Sequence, residues 1–131
     1  MKILVCITHV PDTTSKIQFT ANNTKFDSTG VQFIIGPYDD YALARAVELR
    51  DQTGGTLTAL NVGEAETEPT LRKALAIGAD DAIRVNSFPK DSFFVAQQIA
   101  HFAKAGGYEL ILMGRESIDF NGGMVHGMVG E

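Results

Sequence analysis

Four short apolar runs, spaced by stretches with helical periodicity, restrict this chain to one kind of fold. Ile3 to Thr8 is continuous and rich in β-branched residues, as a strand covered on both faces requires. Thr56 to Val62, Asp81 to Val85 and Leu110 to Met113 repeat the signal. Between them the spacing becomes helical. Gly36-Pro37 opens a helix through about Gln52, with Pro at its favoured first position and Asp39 and Asp40 complementing the positive end of the dipole. Its buried stripe is Ala42, Ala46 and Leu49, flanked by Leu43 and Val47, and Gly54-Gly55 ends it. A second helix runs from about Pro69 to Ile77, with Leu71, Ala74 and Leu75 inward and Gly78 as its cap. A third, capped by Asp91 or Ser92, carries Val95, Ile99 and Phe102 and stops at Gly106-Gly107.

Strands alternating with helices imply an α/β fold, an open parallel sheet of Rossmann-like type with right-handed crossovers. Residues 11–35 interrupt the alternation. Ile17 to Thr20 alternates apolar and polar, Asn22-Asn23 makes a turn, and extended stretches follow around Phe26 and at Val31 to Ile35. This reads as an antiparallel hairpin excursion near residues 16–35, on the sheet edge.

At 131 residues the chain makes a single domain, 1–131, large enough for a real core. Its 11 Lys and Arg against 16 Asp and Glu, with no basic run, exclude nucleic acid as an expected partner. The lone Cys6 cannot form an internal disulfide, and the apolar start Met1–Ile7 is far too short for a signal peptide or a membrane span. A cytoplasmic protein is expected. Met124 to Glu131 looks like the start of a helix over the last strand. The reading is a truncated domain whose exposed edge invites self-association.

In a parallel sheet the ends Cys6-Ile7-Thr8-His9, Asn61-Val62-Gly63 and Met113-Gly114-Arg115 converge along one edge, where such folds bind ligands. Gly63 and Gly114 are expected to give a ligand room, or simply to allow tight turns. Asp119-Phe120-Asn121-Gly122-Gly123 has the composition of a loop that turns its N–H groups outward, ahead of a helix start that could receive a phosphate. No Lys follows these glycines, so this is not the phosphate loop of the nucleotide triphosphatases. Catalytic and metal-ligating constellations are absent from the sequence: His9, His101 and His126 lack ligand spacing, and Ser117 lacks a nucleophile elbow. Cys6 reads as a buried, inert thiol, and Asp80-Asp81 as turn residues.

Several of these segments together resemble one family. Val10-Pro11-Asp12 follows the first strand, Pro37 opens a helix containing Ala46-Val47-Glu48-Leu49, and Leu71-Arg72-Lys73-Ala74-Leu75-Ala76-Ile77-Gly78-Ala79-Asp80 comes next. Leu110-Ile111-Leu112-Met113-Gly114-Arg115 with Ser117-Ile118-Asp119 completes the series. In order and spacing the chain resembles the N-terminal half of the electron transfer flavoprotein β subunit. The resemblance implies an adenine nucleotide α-hydrolase-like domain and an electron carrier, not an enzyme. It implies a heterodimer with an α subunit that holds or shares FAD, and a structural AMP buried in β. Acyl-CoA or other dehydrogenases would dock on the other half of the subunit.

Carried over by position, the nucleotide neighbourhood is Cys6, Gly36, Pro37, Tyr38 and Asp39, Val62 with Gly63, Gly114, and the loop Asp119, Phe120, Asn121, Gly122, Gly123, Met124, Val125, His126 and Gly127. This chain departs from the family where an Asn-Gln-Thr-Gly-Gln run is common; here Phe120-Asn121-Gly122-Gly123-Met124 stands instead. Backbone donors survive that change and side-chain contacts do not. Thr13 stands where an aromatic residue often lies near the flavin. Two other readings stay open: a second FAD in the same cleft, as in the electron-bifurcating branch, and a stand-alone adenine-nucleotide binder resembling universal stress proteins.

Overall fold

The computed structural model describes residues 1–14, 16, 18–20 and 26–131. Four parallel strands form its main sheet: β1 (Lys2–Cys6), β4 (Thr56–Gly63), β5 (Asp81–Asn86) and β6 (Leu110–Met113), in the order β5-β4-β1-β6. β1 lies between β4, in register Ile3↔Leu57, and β6, in register Ile3↔Leu110. The continuous apolar runs are explained by this place: Ile3, Leu4, Val5, Leu57, Ala59 and Leu60 are sealed from solvent on both faces of the sheet.

Two layers of helix do the sealing. On one face α1 (Pro37–Thr53) and α2 (Glu68–Ile77) pack Leu43, Ala46, Leu71 and Ala74 against Ile3, Val5, Leu57 and Ala59. On the other, α3 (Ser92–Gly106) and the short α4 (Val125–Gly130) bring Ile99, Ala103, Val125 and Val129 to Leu4, Cys6, Leu60 and Val62. Each boundary has a local cause. Pro37 enters α1 at its first turn, and Gly54 closes it in the left-handed region at φ 68°. Asp91 caps α3 by accepting from the Phe94 amide at 2.7 Å, and Gly107 ends it at φ 65°.

The expected elements are present, with three corrections. The first strand leaves the main sheet after Cys6, although the Ile7 amide still donates to the Leu60 carbonyl at 2.9 Å. His9–Pro11 becomes a separate strand, β2, paired antiparallel with β3 (Phe33–Ile35), so the excursion begins earlier than its expected start. An isolated antiparallel bridge joins Phe19 to Phe26; Ile17 and the expected Asn22-Asn23 turn lie outside the described residues. Leu75, expected inward, is 43% exposed, and Thr70 takes the buried position beside Leu71 and Ala74. In a helix of 10 residues the face is settled by what the neighbouring β2 strand offers, here the ring of His9 to the Thr70 hydroxyl.

Candidate functional site

The carboxyl ends of the parallel strands open into one cleft of about 540 Å³. Its floor is apolar: Cys6 from β1, Leu60 and Val62 from β4, Met113 from β6, and Val95 and Ile99 from α3. Polar groups stand around the rim. Ile7 to Val10 leave β1 along one side, Gly63, Glu64, Glu66 and Thr67 turn over β4, and Phe88 to Ser92 lead into α3. The segment from Gly114 to Val125 closes the remaining side.

Asp39 ties two of these strand ends together. Its Oδ2 accepts from the Thr8 amide at 3.0 Å and the Thr8 hydroxyl at 2.5 Å, while its Oδ1 accepts from the Gly114 amide at 2.8 Å. Burial raises its carboxyl above the usual range, against the opposing pull of those three hydrogen bonds. The same burial, with the nearby Asp39 charge second, pushes the Cys6 thiol up to about 12. Cys6 is therefore a neutral, inert part of the floor, as its mid-strand position led one to expect.

His9 stacks flat on Phe33, with ring centroids 4.2 Å apart, and its Nδ1 lies 2.7 Å from the Thr70 hydroxyl. Burial lowers its pKa first, while Glu66 and Asp119 pull the other way. Asn61 crosses the floor differently. Its Nδ2 donates to the Ile7 carbonyl at 2.9 Å, and its buried Oδ1 meets no hydrogen-bond partner among the described residues. Arg84 braces the rim by donating to the Gly63 carbonyl at 3.2 Å and pairing with Glu68 at 3.3 Å.

Of the two roles expected for the strand-end glycines, their surroundings fit tight protein packing, although both also border the cleft. A Cβ on Gly114 would run into Asp39 Oδ1 and sit 2.8 Å from Tyr38 Cβ; on Gly63 it would sit 2.7 Å from Thr67 Cγ2. Gly36 is hemmed in likewise by the Thr8 hydroxyl and Asp39 Oδ2.

Of the residues expected around a nucleotide, Cys6, Asp39, Val62, Gly63, Gly114, Asp119, Phe120, Gly122, Gly123, Met124 and Val125 line the cleft together. Gly36, Pro37, Tyr38, Asn121, His126 and Gly127 are not among its lining. Tyr38 instead faces Arg115, whose guanidinium lies 5.3 Å from its ring and pairs with Glu116 at 2.7 Å. Asn121 takes a left-handed conformation, φ 51°, and donates to the Ser117 carbonyl at 2.9 Å. Asp119 accepts from the Phe120 amide at 2.8 Å, and Phe120 itself stands 88% exposed at the mouth. Thr8, His9 and Asn61 join the lining from the strand ends expected to converge on this edge, whereas the Phe88–Ser92 turn was not foreseen as part of the site. That turn carries no local signal in the sequence.

Among the described residues no group of three or more His, Cys, Asp or Glu is placed to hold a metal ion. Nor is any helix among them long and apolar enough to cross a membrane.

Residues 23–131 match the family model described as the electron transfer flavoprotein domain. The electron transfer flavoprotein subunit beta of Bacillus subtilis (strain 168) is 36% identical over 129 residues, covering 95% of this chain and 49% of that protein. Protein FixA of Sinorhizobium fredii is 37% identical over 127 residues, covering 91% and 44%. The acryloyl-CoA reductase electron transfer subunit gamma of Anaerotignum propionicum is 34% identical over 125 residues, covering 91% and 46%. The chain spans about half the length of the curated relatives it matches.

Proposed function

The chain belongs to the electron transfer flavoprotein family, and from that premise we propose that it is the nucleotide-binding part of a β-type electron-carrier subunit. The cleft would hold a structural AMP. The redox chemistry would come from FAD held by, or shared with, a partner α subunit. Electron donors such as acyl-CoA dehydrogenases would dock on the length of the relatives that this chain does not span. The setting would be the cytoplasm.

The observation that carries the nucleotide assignment is the convergence of three strand ends on a cleft with an apolar floor and a polar rim. Its volume of about 540 Å³ falls in the range of small-molecule sites. A purine ring suits the floor made by Val62, Val95, Ile99 and Met113. Main-chain N–H groups from Gly122 to Val125 are the donors that would meet the phosphate, since the glycines there leave the backbone accessible and the Phe120 and Asn121 amides are already bonded within the protein.

Few cations stand in the cleft to neutralise a phosphate. The lining includes the carboxyl groups of Asp39, Glu64, Glu66, Asp91, Glu116 and Asp119 but only two cations, Lys90 and Arg115. Arg115 is already paired with Glu116. AMP and the pyrophosphate of FAD carry similar charge, so for either one main-chain donors must supply most of the phosphate binding. The experiment is to purify the full-length protein with its partner subunit, denature it and quantify the released nucleotides by chromatography and mass spectrometry. One AMP and one flavin per heterodimer is the expected result. Two flavins and no AMP would overturn the reading.

A further inference from the structure

The chain leaves β1 toward β4 and β5 on one side, then returns past both to β6 on the other. The connections therefore part between β1 and β6, and in open α/β sheets this crevice is a preferred ligand position. Here the crevice has an occupant from the protein itself. Asp39, in the first turn of α1, places a carboxylate across it, bonded at once to the amides of Thr8 and Gly114 and to the Thr8 hydroxyl. The group is only 5% exposed, yet it borders the cleft. The backbone is shaped to admit it: a side chain on Gly114 would strike Asp39 Oδ1 first, and one on Gly36 would meet the Thr8 hydroxyl and then Asp39 Oδ2. Strand-end amides beside the start of a helix are what a bound phosphate seeks. These are already used.

We propose that Asp39 is a resident anion: its carboxylate fills the oxyanion position of the β1–β6 crevice and keeps a ligand's phosphate out of it. The phosphate is thereby confined to the far side of the cleft, so the residue sets the direction in which a nucleotide lies. This last step rests on the nucleotide reading above; the occupancy of the crevice does not. Asp39 is a positioning residue, since it meets backbone and hydroxyl donors and reaches a ligand only by exclusion.

The test uses the full-length protein, as wild type, Asp39→Ala and Asp39→Asn, with sodium formate and inorganic phosphate as probes at constant ionic strength. Alanine vacates the crevice and asparagine keeps it filled. Formate should raise the melting temperature of the alanine variant by roughly 3 °C and leave the other two unchanged. No effect of formate on folded Asp39→Ala, or an equal rise in all three proteins, would overturn the proposal. Should Asp39→Ala fail to fold, amide NMR on the wild type decides. AMP should shift amides elsewhere in the cleft while those of Thr8 and Gly114 stay in place, and a shift of these two with AMP or phosphate would overturn it. Absence of AMP from the purified complex would remove the nucleotide reading and leave the formate result standing.

Discussion

The imidazole of His9 lies face to face with the ring of Phe33, tilted by only 5°, so one residue of the cleft wall is clamped by the antiparallel ribbon beneath it. Stacked aromatic rings of this kind contribute about 0.5–1.5 kcal/mol beyond the area they bury. The clamp also gives the protein a pH dependence. Burial depresses the His9 pKa below its ordinary 6.5, so the unfolded chain takes up a proton more readily than the folded one. The contribution to stability is complete above pH 6.5 and declines as pH falls below it. Urea midpoints at pH 7.5 and pH 5.5 should drop more in wild type than in His9→Gln. An equal drop in both would show that His9 does not titrate in this way.

Cys6 should be chemically silent while the domain is folded. With a pKa pushed to about 12 from 9.0, its thiolate fraction at pH 8 is lower by about a thousandfold. Ellman's reagent should therefore label the urea-unfolded chain within minutes and leave the native protein unmodified over hours. Rapid labelling of native protein would mean that the cleft floor opens readily to solvent.

Gly114→Ala should be severely destabilising, by about 2–3 kcal/mol, because overpacking here presses on backbone as well as side chain. The added Cβ would lie 2.9 Å from the Asp39 amide nitrogen and 2.8 Å from Tyr38 Cβ, in addition to striking the carboxylate. Combining it with Asp39→Ala removes one of those obstacles only. In urea unfolding the double variant should then lose less than the sum of the two single changes. Strict additivity would argue that Gly114 and Asp39 are not packed together.

Asp91→Ala should cost about 1 kcal/mol through loss of the cap on α3, and Asp91→Asn or Asp91→Ser should recover most of it. The loss should be visible in thermal melts monitored by circular dichroism. A neutral alanine variant would show that the 2.7 Å bond to the Phe94 amide contributes nothing net.

The parts of this fold that were legible in the sequence are those fixed by burial and by caps. Ile3 to Val5 and Leu57 to Leu60 read as doubly covered strands because they are; Gly78, Gly107 and Asp91 marked helix boundaries that the structure keeps. What could not be read depends on contacts between distant residues. Asp39 reads as an acid complementing a helix dipole, and nothing local announces that Thr8 and Gly114, 31 and 75 positions away, will meet its two oxygens. Leu75 follows Leu71 at helical spacing, yet the register of α2 follows the pairing of Thr70 with His9. The site was legible at its strand ends and at the Asp119–Val125 loop, and illegible at the Phe88–Ser92 turn, which joins it only because β5 lies beside β4.

The ribbon of β2 and β3 also affects how this fold can vary. The chain enters it after Thr8 and returns to the Thr8 carbonyl through the Gly36 amide, 3.2 Å away, and the ladder is fastened again where the Asp12 amide meets the Gln32 carbonyl. These two fastenings hold the start and end of the ribbon at neighbouring points. Closure entropy grows only as the logarithm of loop length. A change of chain length beyond the Asp12–Gln32 fastening therefore need not alter the distance from β1 to α1.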